Sequence, residues 1–328
     1  MNVNRFFKIV LAILLIAIAV GSLYLSFSLL QRRTEFRILM PSLGRENSGD
    51  EYVTAILNCS LPVVPREVPV LSVVKRNYTD TEAKTIATEV FDMSGEPNVT
   101  MKEWSTGGTQ LTITNGTQTL WLFNDGSIFY FLDFDEYTEH IKLPEFSEAK
   151  KTADEFVAKF LGKAKSCGLL PISSSMEIVF SKVDFSEWRG SPESVEPVEI
   201  AVTYSILYNG IPLVNEGDIA VMIGDNGKIT QFHCLWKNVA FGNRILISIS
   251  PEQAIENMGS HTSLGRSTAE IQNITINNIE LGYFSSPPLM GVDELLPAYE
   301  IRFFVALKDG SGHDWGAYVS ATDIPIPQ

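Results

Sequence analysis

An uninterrupted apolar segment comes first in the pattern of hydrophobic and polar positions along the chain. Residues 9–30 contain no charged residue, and at about 1.5 Å per helical residue they are long enough to span the roughly 30 Å hydrocarbon core of a membrane. The segment predicts a transmembrane signal anchor after a short cytoplasmic tail, residues 1–8. A cleaved signal peptide is one alternative, because Arg5 and Lys8 precede the run and Ala17-Ile18-Ala19 has the small-x-small pattern of a cleavage site. A buried helix of a soluble core is another.

Beyond the apolar segment, the pattern changes to helical and strand-like stretches. Residues 31–80 are rich in proline and small polar residues and predict a stalk. Apolar positions at helical spacing then predict a first helix over residues 81–91. Strand-like runs follow, and Asp125-Gly126 between the last two predicts a β-hairpin, because glycine accepts the positive φ of a tight turn. These runs are 98–104, 110–114, 119–123 and 127–134.

The same order of helix and strands appears twice more. The second helix is predicted from Phe146 and the third from Pro251, where Ser250 supplies the N-cap. Strand-like runs follow at 176–185, 198–208, 218–223 and 228–236, and then at 274–284, 298–307 and 317–321. We therefore predict an α+β fold in which tandem helix-plus-antiparallel-sheet units follow one N-terminal transmembrane helix. The three units of this internal repeat are 81–143, 144–245 and 246–328.

Short motifs within these predicted units resemble a known module. They are the Ser-x-x-x-Ala start of a helix at 250–254, the tyrosine followed by Gly and Pro at 208–212, and the hairpin Asp-Asn-Gly-Lys at 225–228. These motifs resemble the PepSY-type, cystatin-like module, which implies a helix packed on an antiparallel sheet. The layout of anchor and units resembles the YycH/YycI membrane-anchored proteins that restrain a sensor histidine kinase, and more loosely exported PepSY proteins that modulate peptidases. The resemblance transfers no catalytic residue.

Charge and cysteine content narrow the classes of partner. The chain has 39 acidic and 25 basic residues, a formal net charge of −14, which disfavours nucleic acid as a partner. The cysteines Cys59, Cys167 and Cys234 can form at most one disulfide, and they match no metal or redox motif.

The location of the protein is predicted from the anchor and from glycosylation motifs. Lys and Arg near the apolar segment do not decide its orientation, but long domains are translocated largely regardless of charge. Asn-x-Ser/Thr motifs add support for export. We predict a single-pass protein of the cell membrane, held through residues 9–30, with its C-terminal part outside the cytoplasm. The candidate glycosylation sites are Asn58, Asn77, Asn98, Asn115 and Asn273.

The sequence contains no recognisable catalytic or metal-binding motif. Its four histidines lie in no His-Glu-x-x-His motif, and no Gly-x-Ser-x-Gly is present. His233 and Cys234 are neighbours on a predicted strand, so their side chains point to opposite faces and cannot act as a catalytic pair. The acidic run 133–136 lacks the spacing of a calcium loop. We predict no catalytic residue, no metal site and no cofactor.

Aromatic residues along the first predicted hairpin supply a candidate interaction patch. If the helix covers only one face of the sheet, the outward set is Trp121 and Phe123, or Tyr130 and Tyr137. This favours a non-enzymatic regulatory or protein-interaction domain that acts on a membrane or secreted partner such as a sensor kinase. The alternatives are an inhibitor or modulator of an exported peptidase, which would pair with a sheet edge, and a protein that binds a small ligand or lipid.

Overall fold

The computed structural model of the 328-residue chain describes residues 35–40, 51–132, 141–169, 176–191, 194–215, 217–261, 270–288 and 293–326. In chain order, the helices and strands are β1 (Glu35–Met40), β2 (Glu51–Leu57), β3 (Glu67–Val73), α1 (Asp80–Glu89), β4 (Asn98–Glu103), β5 (Thr109–Thr114), β6 (Gln118–Phe123), β7 (Ile128–Leu132), α2 (Phe146–Ser166), β8 (Met176–Ser191), β9 (Ser194–Tyr208), β10 (Ile211–Asn215), β11 (Asp218–Ile223), β12 (Ile229–Cys234), β13 (Val239–Leu246), α3 (Pro251–Asn257), β14 (Ile271–Ser285), β15 (Glu294–Leu295), β16 (Pro297–Leu307) and β17 (Gly312–Ser320). Short 3-10 helices lie at Asp225–Gly227 and Met258–His261.

These elements belong to two compact units, each assembled from separate stretches of the chain. Unit 1 comprises the described residues of Met1–Leu61, Ile255–Ile279 and Ile301–Ala317. Unit 2 comprises those of Pro62–Ala254, Glu280–Glu300 and Tyr318–Gln328.

Helices α1 and α2 of unit 2 begin and pack for reasons that the sequence makes clear. Thr79 caps α1 in a capping box of two reciprocal hydrogen bonds. The Thr79 hydroxyl accepts a hydrogen bond from the backbone N–H of Glu82, and the Glu82 carboxylate accepts one from the backbone N–H of Thr79. The buried positions of α2 are mostly alanines three or four residues apart, which bring the helix close to the sheet. Its Phe160 is 1% exposed, and burying such a side chain stabilises the fold by roughly 1.5–3 kcal/mol.

The main sheet of unit 2 has the order β10-β9-β11-β12-β7-β6-β5-β4, and β8 pairs with β9 along the other side of that strand. The junction between β7 and β12 is antiparallel, with Phe129 opposite His233. Both α1 and α2 pack on one face of this sheet, where they share a single core with buried residues of seven of its strands, β5, β6, β7, β9, β10, β11 and β12. Phe232 of β12 marks its centre, because the rings of Phe91, Phe156 and Phe160 all lie within 6.0 Å of its ring.

A smaller sheet also belongs to unit 2. Its order is β13-β3-β15, with both pairs antiparallel. Leu71 of β3 is fully buried and joins the same core. The end of β14 pairs in parallel with β10, with Leu213 opposite Tyr283.

Unit 1 is a sheet with both parallel and antiparallel pairs. Strands β1 and β2 form an antiparallel pair, and β2 lies parallel to the first part of β14, with Ala55 opposite Ile274. Ile38, Ala55, Ile274 and Ile276 are fully buried.

The predicted fold class is wrong. The described residues are mostly β-strand, with only three α-helices, and ladders connect 14 strands in one mixed sheet instead of tandem helix-plus-sheet units. The third predicted helix has seven residues and is followed along the chain by the long strands β14, β16 and β17. The cystatin-like, PepSY-like and repeat interpretations therefore fail as descriptions of the fold. Local alternation predicted eleven of the seventeen described strands as elements, but no strand was predicted at β1, β2, β3, β10, β13 or β15. Alternation also carries no information on which distant strand pairs with which.

The membrane interpretation also finds no support in the described residues. None of the helices described is long and apolar enough to cross a membrane. The predicted anchor, residues 9–30, lies outside the described residues.

Candidate functional site

The face of the main sheet opposite α1 and α2 carries a cluster of aromatic side chains. Strand alternation places Leu120 and Leu122 in the core under the helices, so Trp121 and Phe123 of β6 point to the other side. Trp121 lies opposite Phe129 of β7, and Phe129 lies opposite His233 of β12. We define the aromatic face as Trp121, Phe123, Phe129, Phe131 and His233.

The rings of the aromatic face contact one another across three strands. The Trp121 and Phe131 ring centroids are 4.8 Å apart with an edge-on geometry, and those of Phe123 and Phe129 are 5.6 Å apart. His233 lies 4.8 Å from Phe129 and 5.7 Å from Phe131 between ring centroids. Phe123 is buried, whereas the other four are half-buried. The cluster is therefore internally packed and still presents apolar edges to its surroundings.

His233 is the one titratable group within the aromatic face, and its surroundings keep it neutral. Burial lowers the pKa of His233 from 6.5 to about 4, because the charged imidazolium is poorly solvated there. Its Nε2 is buried and has no hydrogen-bond partner. Its neighbour Cys234 is in the core on the opposite face, where burial raises the pKa of the thiol. The two side chains are thus separated by the sheet and cannot form a nucleophile and base pair.

Uncharged residues surround the aromatic face on the same side of the sheet. By the strand register, the positions directly beside it are Gln110, Thr112, Thr119, Gln231, Ala220 and Met222. Charged residues lie farther out on the same side, where Lys102 is opposite Gln110 and Asp218 is opposite Ser205. An apolar centre with a neutral polar border resembles the composition of protein interfaces, whose cores are poor in charge and rich in aromatic residues.

The two alternative sets predicted for the outward patch are distinguished by the structure. Trp121 and Phe123 lie in the aromatic face. Tyr130 lies under the helices, 7% exposed, where it stacks on Phe91 at 5.1 Å and accepts a hydrogen bond from Gln118 of 2.8 Å. Tyr137 lies outside the described residues.

The register of the β6–β7 hairpin fixes which residues of β7 lie beside Trp121. Leu122 lies opposite Ile128, and the Phe123 N–H donates to the Ser127 carbonyl, so residues 124–126 form the loop. These are also the three residues between the predicted runs 119–123 and 127–134, and this register places Phe129 opposite Trp121. Phe129 and Phe131 were absent from the predicted patch, although the alternation of aromatic residues in β7 was a usable signal, and His233 joins them through the β7–β12 ladder.

The candidate glycosylation sites differ in accessibility. Asn58, Asn77 and Asn98 are exposed, and Asn273 is half-buried in β14. The Asn115 side chain is engaged: its Nδ2 donates to the Ser94 carbonyl and to Gln118, while its Oδ1 accepts from the backbone N–H of Gln118.

Two further features of the described residues bear on ligand binding. They contain no group of three or more His, Cys, Asp or Glu side chains that could hold a metal ion. A cleft of about 450 Å³ lies at the start of α2, and Lys142, Glu145, Glu148, Thr152 and Asn226 contribute most of its lining. The acidic run 133–136 and His140 lie outside the described residues.

Comparisons with known proteins add little. No protein-family model matches the chain, and no curated protein matches it. The fold is similar to that of an uncharacterized protein from Eubacterium rectale, with 10% identity, a TM-score of 0.46, and coverage of 84% of this chain and 90% of that one. A similarity at this level carries no argument about function. The resemblance to the YycH/YycI proteins stays a prediction.

Proposed function

We propose that the protein is a non-enzymatic interaction domain that binds a protein partner through the aromatic face. The observation that carries this proposal is the half-exposed cluster of Trp121, Phe129 and Phe131 on the sheet face opposite both packed helices. Tryptophan and other aromatic residues supply most of the binding energy in protein interfaces, because they bury a large area at a low cost in conformational entropy.

The charge of the chain indicates the kind of partner. The aromatic face itself is uncharged, but the chain carries a net charge of −14. A partner with an apolar surface and a basic border would fit both the uncharged aromatic face and the negative charge of the chain. Long-range attraction would then raise the association rate, while apolar contacts hold the complex together. The association rate is expected to fall as salt concentration rises, with a smaller effect on the dissociation rate.

Site-specific photo-crosslinking in cells tests the proposal. A photoreactive phenylalanine analogue at Trp121 is expected to capture a defined protein. The same analogue at Thr85, an exposed position of α1 on the other side of the sheet, serves as the matched control. A protein captured equally from both positions does not bind through the aromatic face and contradicts the proposal.

The affinity of the captured protein is then measured with purified variants. Trp121→Ala is expected to weaken binding about 30-fold, the effect of losing an interface residue worth about 2 kcal/mol. Thr112→Lys provides a second variant, because it adds a charge to the border of the face without removing any packed ring. Thr85→Ala is the control for both. Unchanged affinity in Trp121→Ala and Thr112→Lys, with both folded as judged by thermal unfolding, refutes the proposal.

The alternatives from the sequence stay predictions. The cleft at the start of α2 is lined mainly by polar and charged side chains, which does not favour a lipid carrier because lipid sites are lined mainly by apolar residues. Modulation of a peptidase would require a sheet edge that pairs with an extended segment.

A further inference from the structure

Strand β8 lies at an edge of the main sheet of unit 2. It is 16 residues long, and among the described strands it pairs only with β9. In an antiparallel ladder, half of the backbone N–H and C=O groups of an edge strand point away from its neighbour. Such an edge is a template for another strand unless charges, bulges or a covering segment protect it.

Exposed apolar side chains concentrate along this edge. Among the described residues, twelve large apolar side chains are exposed, and four of them are Val179, Phe180 and Phe185 of β8 and Phe146 at the start of α2. The Phe146 and Phe185 rings are 4.9 Å apart, and the Lys150 ammonium lies 4.5 Å from the centre of the Phe180 ring. Phe146, Phe180 and Phe185 thus form one apolar strip on the helix side of β8, because Phe180 and Phe185 lie opposite the core residues Tyr204 and Ile200.

The other side of β8 carries two opposite charges. Lys182 and Asp184 lie on either side of Val183, and their charged atoms are 3.9 Å apart, with side chains 62% and 65% exposed. Irregularities after Phe180 and after Phe185 bound the regular stretch that contains them. When this stretch pairs antiparallel with a copy of itself around Val183, residue 182 of each copy faces residue 184 of the other. Lys182 then faces Asp184 twice, and the edge is complementary in charge to itself.

We propose that β8 is a self-association edge, at which two copies of this chain pair antiparallel around a two-fold axis at Val183. The axis runs perpendicular to the sheet, so the Phe146, Phe180 and Phe185 strips of both copies lie on the same side and cover one another. Two Lys182–Asp184 pairs form on the opposite side, where opposite charges in directly facing positions stabilise a strand pair. The two sheets become continuous, and both exposed edges disappear.

Disulfide trapping tests the register directly. In a Cys59→Ser, Cys167→Ser background of the full chain, Val183→Cys is expected to form a disulfide-linked dimer on mild oxidation. Facing residues of an antiparallel pair have Cα atoms about 4.5 or 5.5 Å apart, both within the roughly 4.4–6.8 Å that a disulfide spans. Glu177→Cys is the matched control, since it is exposed on the same strand but its two copies would lie roughly 40 Å apart. Absence of the Val183→Cys dimer, or equal linkage from Glu177→Cys, overturns the proposal.

Charge exchange tests the pairing of Lys182 with Asp184. Lys182→Glu and Asp184→Lys are each expected to weaken self-association of the full chain at least about tenfold, because each replaces two attractive pairs by two repulsive ones. The double variant Lys182→Asp, Asp184→Lys restores both pairs and is expected to associate like the original chain. A mixture of the two single variants is expected to form mixed dimers.

Sedimentation equilibrium gives the dissociation constants, and circular dichroism controls for folding. The exposed positions of both side chains mean that all variants are expected to fold. A chain that is monomeric at every concentration tested, or single variants that associate as tightly as the original, overturns the proposal. A monomer whose Val179→Cys variant is instead linked to an extended peptide of another protein also overturns it, in favour of peptide binding at this edge.

Discussion

Replacing Lys237 by methionine tests how the hairpin between β6 and β7 is held to the rest of unit 2. Lys237 is 3% exposed, and its ammonium lies 2.6 Å from the carboxylate of Asp125 in the hairpin loop. The ammonium also donates to the Ser127 hydroxyl at 3.1 Å, and the Lys237 carbonyl accepts a hydrogen bond of 2.7 Å from the Tyr208 hydroxyl. The ion pair between Lys237 and Asp125 joins residues that are 112 positions apart in the sequence.

The size of the expected effect follows from burial. Methionine fills most of the space of the lysine side chain but leaves the Asp125 carboxylate, whose side chain is 10% exposed, without its counter-charge. Loss of one partner of a buried ion pair costs roughly 3–5 kcal/mol. Lys84 provides the matched control, because its contact with Glu96 is 3.9 Å long and both side chains are exposed. Lys84→Met is therefore expected to cost less than about 1 kcal/mol.

Urea unfolding followed by tryptophan fluorescence measures these costs, and Trp236 is a buried reporter next to the substituted residue. The paired variant Asp125→Asn, Lys237→Met removes both charges while keeping an acceptor for the Ser127 backbone N–H that Asp125 now serves. It is expected to be more stable than Lys237→Met alone, since no unpaired charge remains buried. The reasoning is refuted if Lys237→Met unfolds at the same urea concentration as Lys84→Met, or if the paired variant is the less stable one.

Two further predictions concern His233 and Gly126. Burial lowers the pKa of His233 from 6.5 to about 4, so as the pH falls the unfolded chain binds a proton before the folded chain does. The free energy of unfolding therefore falls as the pH drops from 6.5 to 4. His233→Phe is expected to reduce this pH dependence when unfolding is measured at pH 7 and pH 4.5, and an unchanged dependence would show that His233 is not its source. Gly126 has a φ of +102° and a Cβ there would lie 3.0 Å from Asn238, whereas Gly107 has a φ of +84° and open space around it. Gly126→Ala is therefore expected to lower the thermal unfolding temperature more than Gly107→Ala. Both variants lose about 1–2 kcal/mol because alanine is placed in a left-handed backbone conformation, but only Gly126→Ala must also relieve a steric contact. An equal decrease in unfolding temperature in the two variants would contradict this reasoning.

Short-range features of the fold could be predicted from the sequence. The helices over 81–91, from Phe146 and from Pro251 correspond to α1, α2 and α3, because helical spacing and caps act within a few residues. The Asp125-Gly126 turn is also present, with Gly126 at positive φ. The start of α1 was placed slightly late, although Thr79 and Glu82 have the spacing of a capping box.

Long-range pairing could not be predicted in the same way. The ladders between β7 and β12 and between β10 and β14 join strands about 100 and 70 residues apart, and nothing in the alternation of either strand specifies its partner. The aromatic face depends on such a ladder, because His233 reaches Phe129 only through the β7–β12 pair. The sequence therefore predicted Trp121 and Phe123 as candidates, while the other three members required the register.

The interleaved order of the two units has a consequence for synthesis of the chain. Unit 2 ends with the stretch that begins at Tyr318, and unit 1 needs residues 301–317. Within unit 2, Ala321 donates its N–H to the Pro297 carbonyl, and its own carbonyl accepts from the N–H of Ser248. A nascent chain on the ribosome therefore holds two incomplete units until residues 301–321 have emerged, so neither unit is expected to complete its fold before then. A chaperone that shields the long unpaired strands of the nascent chain would act during that interval.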